Sequence, residues 1–250
     1  MALFPHADQT ALVTGASSGL GAEFARQLAG RGANLILVAR SADRMRALAA
    51  EIERTHSVRV DVIPTDLGDR DAVQHLVGEI GDRVHLLVNN AGYGSYGRFA
   101  TLDPGREYDQ VLVNNAALVA LTRAVLPAML DRGTGGVVNV ASTIAFQPGA
   151  YQAVYGATKA FVLSFSEAVR VETRGTGVRV LTLCPGPVDT AFLAGLGDDR
   201  AARTATYSRL DRADHVVAVG LHALDRDRGT VVPASATLFS QTLPGSPRAR

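Results

Sequence analysis

Residues 11–21 read Ala11-Leu12-Val13-Thr14-Gly15-Ala16-Ser17-Ser18-Gly19-Leu20-Gly21. A short apolar run enters a turn rich in glycine. Beyond it Leu20, Phe24 and Leu28 recur at every fourth residue, the stripe of an amphipathic helix. A strand passing into a helix through such a turn lets the backbone approach a pyrophosphate. The helix start adds free N–H groups and the positive end of its dipole. The spacing is G-x-x-x-G-x-G, not G-x-G-x-x-G. Alone it can also be read as a plain strand–helix connection; the run before it and the stripe after it lower that reading sharply.

The same alternation continues along the chain. Apolar runs stand at Ala11–Val13, Leu35–Val38, Val58–Ile63, Val84–Val88, Val137–Val140, Val178–Leu183 and Thr230–Val232. They are rich in Val, Ile and Leu with little polar alternation, as in parallel strands covered on both faces. Helical patterns lie between them. Ser41 is placed to cap a helix carrying Met45, Leu48 and Ile52, and long helices are expected near Arg106–Leu130 and Tyr155–Arg174. The expected fold is α/β: a Rossmann-type, doubly wound, mostly parallel seven-stranded sheet with helices on both faces. One domain is expected over residues 1–250, with its core at about 8–233. Residues 234–250, with Pro244, Pro247 and a basic end, read as a partly disordered tail.

Composition narrows the function. The chain has 25 basic and 24 acidic side chains and is 47% hydrophobic. No basic patch points to nucleic acid. One cysteine, Cys184, allows no intrachain disulfide and fits a reducing, cytoplasmic setting. The N-terminus lacks the pattern of a secretory signal, and no apolar run is seen to approach the ~18 residues that span a bilayer. Six scattered histidines show no metal-ligand spacing, so no metal is expected.

The second strand ends at Arg40-Ser41, about 20 residues past the turn, where an NAD site usually offers an acid. A guanidinium there can fork onto a 2′-phosphate. This favours NADP(H). Further on, Ser142, Tyr155 and Lys159 form an S…Y-x-x-x-K set. Tyr155 and Lys159 share a helix face. Moving a phenol from about 10 to about 7 takes ~4 kcal/mol, which one ammonium ~4 Å away supplies at an effective dielectric of ~20. Tyr155 can then exchange a proton with a carbonyl oxygen that Ser142 also hydrogen-bonds, while a nicotinamide exchanges hydride with the carbon.

These residues resemble the short-chain dehydrogenase/reductase family, single-domain oxidoreductase branch, from about Thr10 to Pro233. Thr14-Gly15 through Gly21 is similar to the family's cofactor turn, with Ser17, Ser18, Gly19 and Leu20 inside it. Asp66-Leu67 resembles the pair beside the adenine, and Asn89-Asn90-Ala91-Gly92 matches the N-N-A-G motif. Pro185-Gly186, Val188 and Thr190 resemble the segment at the nicotinamide end. The resemblance implies that Asn114, Ser142, Tyr155 and Lys159 are catalytic. Asn114 is chosen over Asn115 because Leu121-Thr122 then fall in the family's pattern. It also implies that Lys159 holds the ribose hydroxyls, that Asn114 positions a water, and that the chain forms a homodimer or homotetramer through its long middle helices.

Tyr93, Ile144, Phe146, Tyr151, Phe192 and Leu193 are expected to line the substrate end. Their apolar and aromatic character favours reduction of a medium-sized hydrophobic ketone or aldehyde, or the reverse oxidation. Two alternatives stand beside this reading: an NAD-linked alcohol dehydrogenase, which the lack of an acid at Arg40 opposes, and a non-catalytic NADP-binding sensor, which would have no need of Ser142, Tyr155 and Lys159.

Overall fold

The computed structural model describes residues 4–197 and 210–233. The expected tail at 234–250 lies outside the described residues. The strands are β1 (Thr10–Thr14), β2 (Asn34–Ala39), β3 (Val60–Pro64), β4 (Leu86–Asn89), β5 (Gly135–Val140), β6 (Val178–Leu183) and β7 (Thr230–Val231). They form one sheet in the order β3-β2-β1-β4-β5-β6-β7, with every pairing parallel. The helices are α1 (Gly19–Ala29), α2 (Ala42–Thr55), α3 (Arg70–Ile80), α4 (Pro104–Val111), α5 (Ala117–Arg132), α6 (Ala153–Glu172) and α7 (Ala213–Asp225).

Successive strand residues point to opposite faces, and each face has its own core. Val13 and Leu37 pack with Phe24, Leu28, Met45 and Leu221 from α1, α2 and α7. Leu12 and Ile36 pack with Leu76, Leu121, Val125 and Val169 from α3, α5 and α6. All seven expected runs therefore carry strands. The bounds differ at the ends: Val58, Val84 and Val232 lie just outside β3, β4 and β7. β3 also departs from the fully buried pattern, with Asp61 exposed, because it is an edge strand.

Two other expectations need correction. Ser41 stands at the N-cap position of α2, but its side chain makes no capping hydrogen bond. And an apolar span of membrane-crossing length does exist. Residues Pro104–Arg132 form one continuous helical stretch of 29 residues with mean hydropathy 1.5 in its most apolar window. Asn114, Asn115 and Thr122 inside it hide the run from a residue-by-residue reading. Its inner face packs on the sheet through Leu121, Val125 and Met129.

Strand order reverses between β1 and β4. Such a reversal opens a crevice at the carboxyl ends of the strands, where folds of this class place ligands.

Candidate active site

The strand ends at the crevice are joined by two side chains, Thr14 and Asn90. Thr14 Oγ1 donates to the Val88 carbonyl at 3.2 Å and accepts from the N–H groups of Asn90 at 2.9 Å and Ala91 at 3.0 Å. Asn90 Nδ2 returns a bond to the Thr14 carbonyl at 2.9 Å. Asn89 serves the interior instead, donating to Thr122 and to Asn139.

The glycine turn is closed by protein contacts. Gly15 has φ +65°, and a Cβ there would lie 2.9 Å from Ala91 Cα. At Gly21 a Cβ would lie 2.2 Å from the Gly15 carbonyl oxygen. α1 begins within the motif at Gly19. Its N-cap residue, Ser18, makes no side-chain cap, and no acid stands in the first turn. The N–H groups at this helix start are thus left for an anion.

A cavity of about 800 Å³ opens over the crevice. Of the residues expected to hold the cofactor, it is lined by Gly15, Ser17, Ser18, Gly19, Leu20, Arg40, Ser41, Asp66, Leu67, Asn90, Ala91, Gly92, Tyr155, Lys159, Pro185, Gly186, Val188 and Thr190. Gly21 is absent from this wall; it supports the turn from behind. All six residues expected at the substrate end, Tyr93, Ile144, Phe146, Tyr151, Phe192 and Leu193, also line the cavity. The Tyr93 hydroxyl is already engaged, donating to the Arg106 carbonyl at 2.9 Å. Tyr151 holds a left-handed backbone, φ +66°, and stacks on Tyr96 with ring centroids 5.7 Å apart.

Ser142 lies two residues past β5. Its Oγ donates to the Pro185 carbonyl at 3.3 Å and accepts from Ile144 N at 3.4 Å. Tyr155 and Lys159 project from one face of α6. Lys159 Nζ is buried, donates to the Val140 carbonyl at 2.8 Å and lies 5.8 Å from the Tyr155 ring centroid. Burial pushes its pKa down to about 8, which still leaves an ammonium at neutral pH. Beneath it, burial pushes the Cys184 thiol up to about 12.

Asn114 sits behind the wall, within a π-helical turn, Leu112–Ala116, that joins α4 to α5. Such bulges recur at functional positions. Asn114 Oδ1 accepts from Tyr93 N at 3.1 Å, and its Nδ2 donates to the Tyr93 carbonyl and to Thr158 Oγ1, each at 3.0 Å. A Cβ on Gly92 would lie 3.0 Å from Asn114 Oδ1 and 3.5 Å from Lys159 Nζ. Asn114 therefore reaches the lysine's neighbourhood, whereas Asn115 turns to the Thr158 carbonyl. Sequence reasoning missed Arg44, Tyr96 and Gln147 on the cavity wall. Arg44 was legible as the residue one helical turn beyond Arg40; Tyr96 and Gln147 carried no comparable signal.

The family model described as short chain dehydrogenase matches residues 9–201. The chain belongs to the short-chain dehydrogenase family. It is 39% identical to sulfoacetaldehyde reductase 2 of Chromohalobacter salexigens, over 78% of this chain and 79% of that one. A short-chain dehydrogenase from Sphingobium yanoikuyae, solved with NADPH, superposes with TM-score 0.85 at 32% identity, over 92% of this chain and 89% of that one. A family member from Burkholderia phymatum, solved with NAD, also gives TM-score 0.85, at 25% identity over 94% and 92% of the two chains. As a member of this family the chain is an oxidoreductase acting between alcohol and carbonyl.

Proposed function

We propose that the protein is an NADP(H)-dependent reductase of medium-sized hydrophobic ketones or aldehydes. The observation that carries this reading is that Ser142, Tyr155 and Lys159 open onto the same cavity as the uncapped start of α1. A non-catalytic sensor has no use for that convergence.

The cavity suits a phosphorylated dinucleotide along its whole length. The free N–H groups of α1 would take the pyrophosphate, Asp66 and Leu67 would flank the adenine, and Arg40, Ser41 and Arg44 would hold a 2′-phosphate. A carboxylate in place of Arg40 would repel that phosphate; two guanidiniums favour it. When bound, the cofactor supplies or accepts hydride. The protein's own part is proton and charge management. Ser142 donates a hydrogen bond to the carbonyl oxygen, an interaction that strengthens as negative charge builds there. Tyr155 gives the proton to that oxygen, and the Lys159 ammonium beside its ring stabilises the phenolate left behind. Asn114, fixed by Tyr93 and Thr158, holds a water through which the proton is replaced from solvent.

The substrate end offers Ile144, Phe146, Tyr151, Phe192 and Leu193, and the Lys159 and Arg106 cations beside it are both engaged with backbone carbonyls. Arg40 and Arg44 lie at the other end. This opposes a small anionic substrate of the kind named for the Chromohalobacter relative. Assembly follows from a separate surface. Phe99, Tyr108, Val111 and Phe161 are exposed on or beside α4 and α6, and covering them in a homodimer or homotetramer removes apolar area from water. The lone buried Cys184 accords with a reducing cytoplasm.

The test is a panel of aryl and alkyl ketones, aldehydes and sulfoacetaldehyde, followed by NADPH absorbance. Turnover of aryl ketones with NADPH well ahead of NADH is expected. Turnover confined to the sulfonate would overturn the substrate class, and equal rates with NADH would overturn the cofactor preference.

A further inference from the structure

Arg106, in the first turn of α4, joins two pieces of the cavity wall, the loop at 93–97 and the segment at 191–196. Its guanidinium donates to the Gly94 carbonyl at 3.1 Å and to the Gly195 carbonyl at 2.5 Å. It also lies over the Tyr93 ring, 4.9 Å from the centroid. Its backbone is fixed independently, because Asp103 Oδ1 accepts from Arg106 N at 2.6 Å. A neighbouring bond, Tyr96 N to the Leu196 carbonyl at 3.1 Å, closes the same seam.

The seam meets the chemistry at Gly94. A Cβ there would lie 3.2 Å from Phe192 Cζ, 3.2 Å from Tyr155 Cδ2 and 3.1 Å from Leu196 Cδ2. The Phe192 ring packs on Tyr155 with centroids 5.4 Å apart. The segment that carries Phe192 is thus held on one side by Tyr155 and on the other by the Arg106 fork.

We propose that Arg106 is a positioning residue for the carbonyl substrate: it pins residues 191–196 to the loop at 93–97, which fixes Phe192 against Tyr155 and sets the width of the substrate end. This rests on the reading of Tyr155 as the proton donor. The guanidinium suits the task because one planar group donates through Nη2 to two carbonyls while its face lies over a ring. The wall residues touch substrate in ground state and transition state alike, so loosening them shifts binding more than the chemical step.

The experiment compares wild type, Arg106→Ala and Arg106→Lys with acetophenone and acetone, alongside the NADPH dissociation constant. Loss of the fork should raise KM for acetophenone about tenfold. kcat should change by less than about threefold, NADPH affinity should hold, and the preference for acetophenone over acetone should narrow. Arg106→Lys should recover part of the KM. Unchanged KM and unchanged preference in Arg106→Ala would overturn the proposal. If the alanine variant does not fold, Arg106→Lys decides by the same comparison: wild-type KM and preference overturn the proposal, an intermediate shift supports it. A wild-type enzyme that reduces no carbonyl at all would instead sink the reading of the active site, and this inference with it.

Discussion

Lys159 Nζ donates at 2.8 Å to the Val140 carbonyl and lies 5.8 Å from the Tyr155 ring centroid. One amine therefore closes the end of β5 and faces the phenol. It does both from a buried position, and its lowered pKa reflects that cost.

Lys159→Met should make the protein more stable at neutral pH while removing its activity. A fall from 10.5 to about 8 corresponds to roughly 3 kcal/mol of penalty for keeping the amine charged. The lost bond to Val140 returns about 1 kcal/mol or more of this. The sign follows from linkage. The folded pKa is depressed, so between about pH 8 and 10.5 the unfolded chain binds more protons and wild-type stability rises with pH. Denaturant midpoints should show a stabilised variant at pH 7 and a shrinking advantage as pH climbs through that window. A constant advantage would mean that charge burial is not its source.

Tyr155→Phe should lower kcat by about 10²-fold or more and leave the NADPH dissociation constant within about twofold. Ser142→Ala should cost about 10²-fold, through loss of a donor aimed at developing charge. Single-turnover NADPH absorbance separates these effects from product release. Near-normal turnover in the phenylalanine variant would remove Tyr155 from the mechanism.

Arg40→Ala and Arg44→Ala should each weaken NADPH binding by about tenfold or more, and NADH binding scarcely at all. Titration with both cofactors gives the ratio. Equal weakening of the two would assign these guanidiniums to the shared part of the dinucleotide.

Gly21→Ala and Gly78→Ala should act in opposite directions. The first drives a Cβ to 2.2 Å from the Gly15 carbonyl oxygen, between two pieces of backbone, and should cost about 3 kcal/mol or prevent folding. The second lies on α3 with no atom within 4 Å of the added carbon. It should stabilise by up to about 1 kcal/mol, the helix-propensity gain over glycine. Thermal melts of the pair test whether the glycine turn is demanded by its own closure.

The strands were legible because parallel strands in this sheet are covered on both faces. Leu35–Val38 and Val178–Leu183 could not be read as half-exposed ladders. Where a strand lies at the edge, as at β3, the fully buried signal weakened. Most of the expected wall was legible too, because the glycine turn, Asn90-Ala91-Gly92 and the Tyr155–Lys159 pair are local spacings. Arg106 was not. Its partners are backbone carbonyls, which carry no residue identity, and Gly195 stands 89 residues away. Gly21 is expected among the cofactor-binding residues, whereas the atom a side chain there would meet first belongs to its own loop.

The position of β1 in the interior of the sheet bears on how the chain is made. Its residues Ala11–Val13 pair with β2 on one side and with Leu86–Val88 on the other. During synthesis the second edge has no mate until residue 88 has left the ribosome. Until then a nascent chain carries a bare apolar ribbon that can template association with its neighbours. Fragments ending before β4 should precipitate on expression.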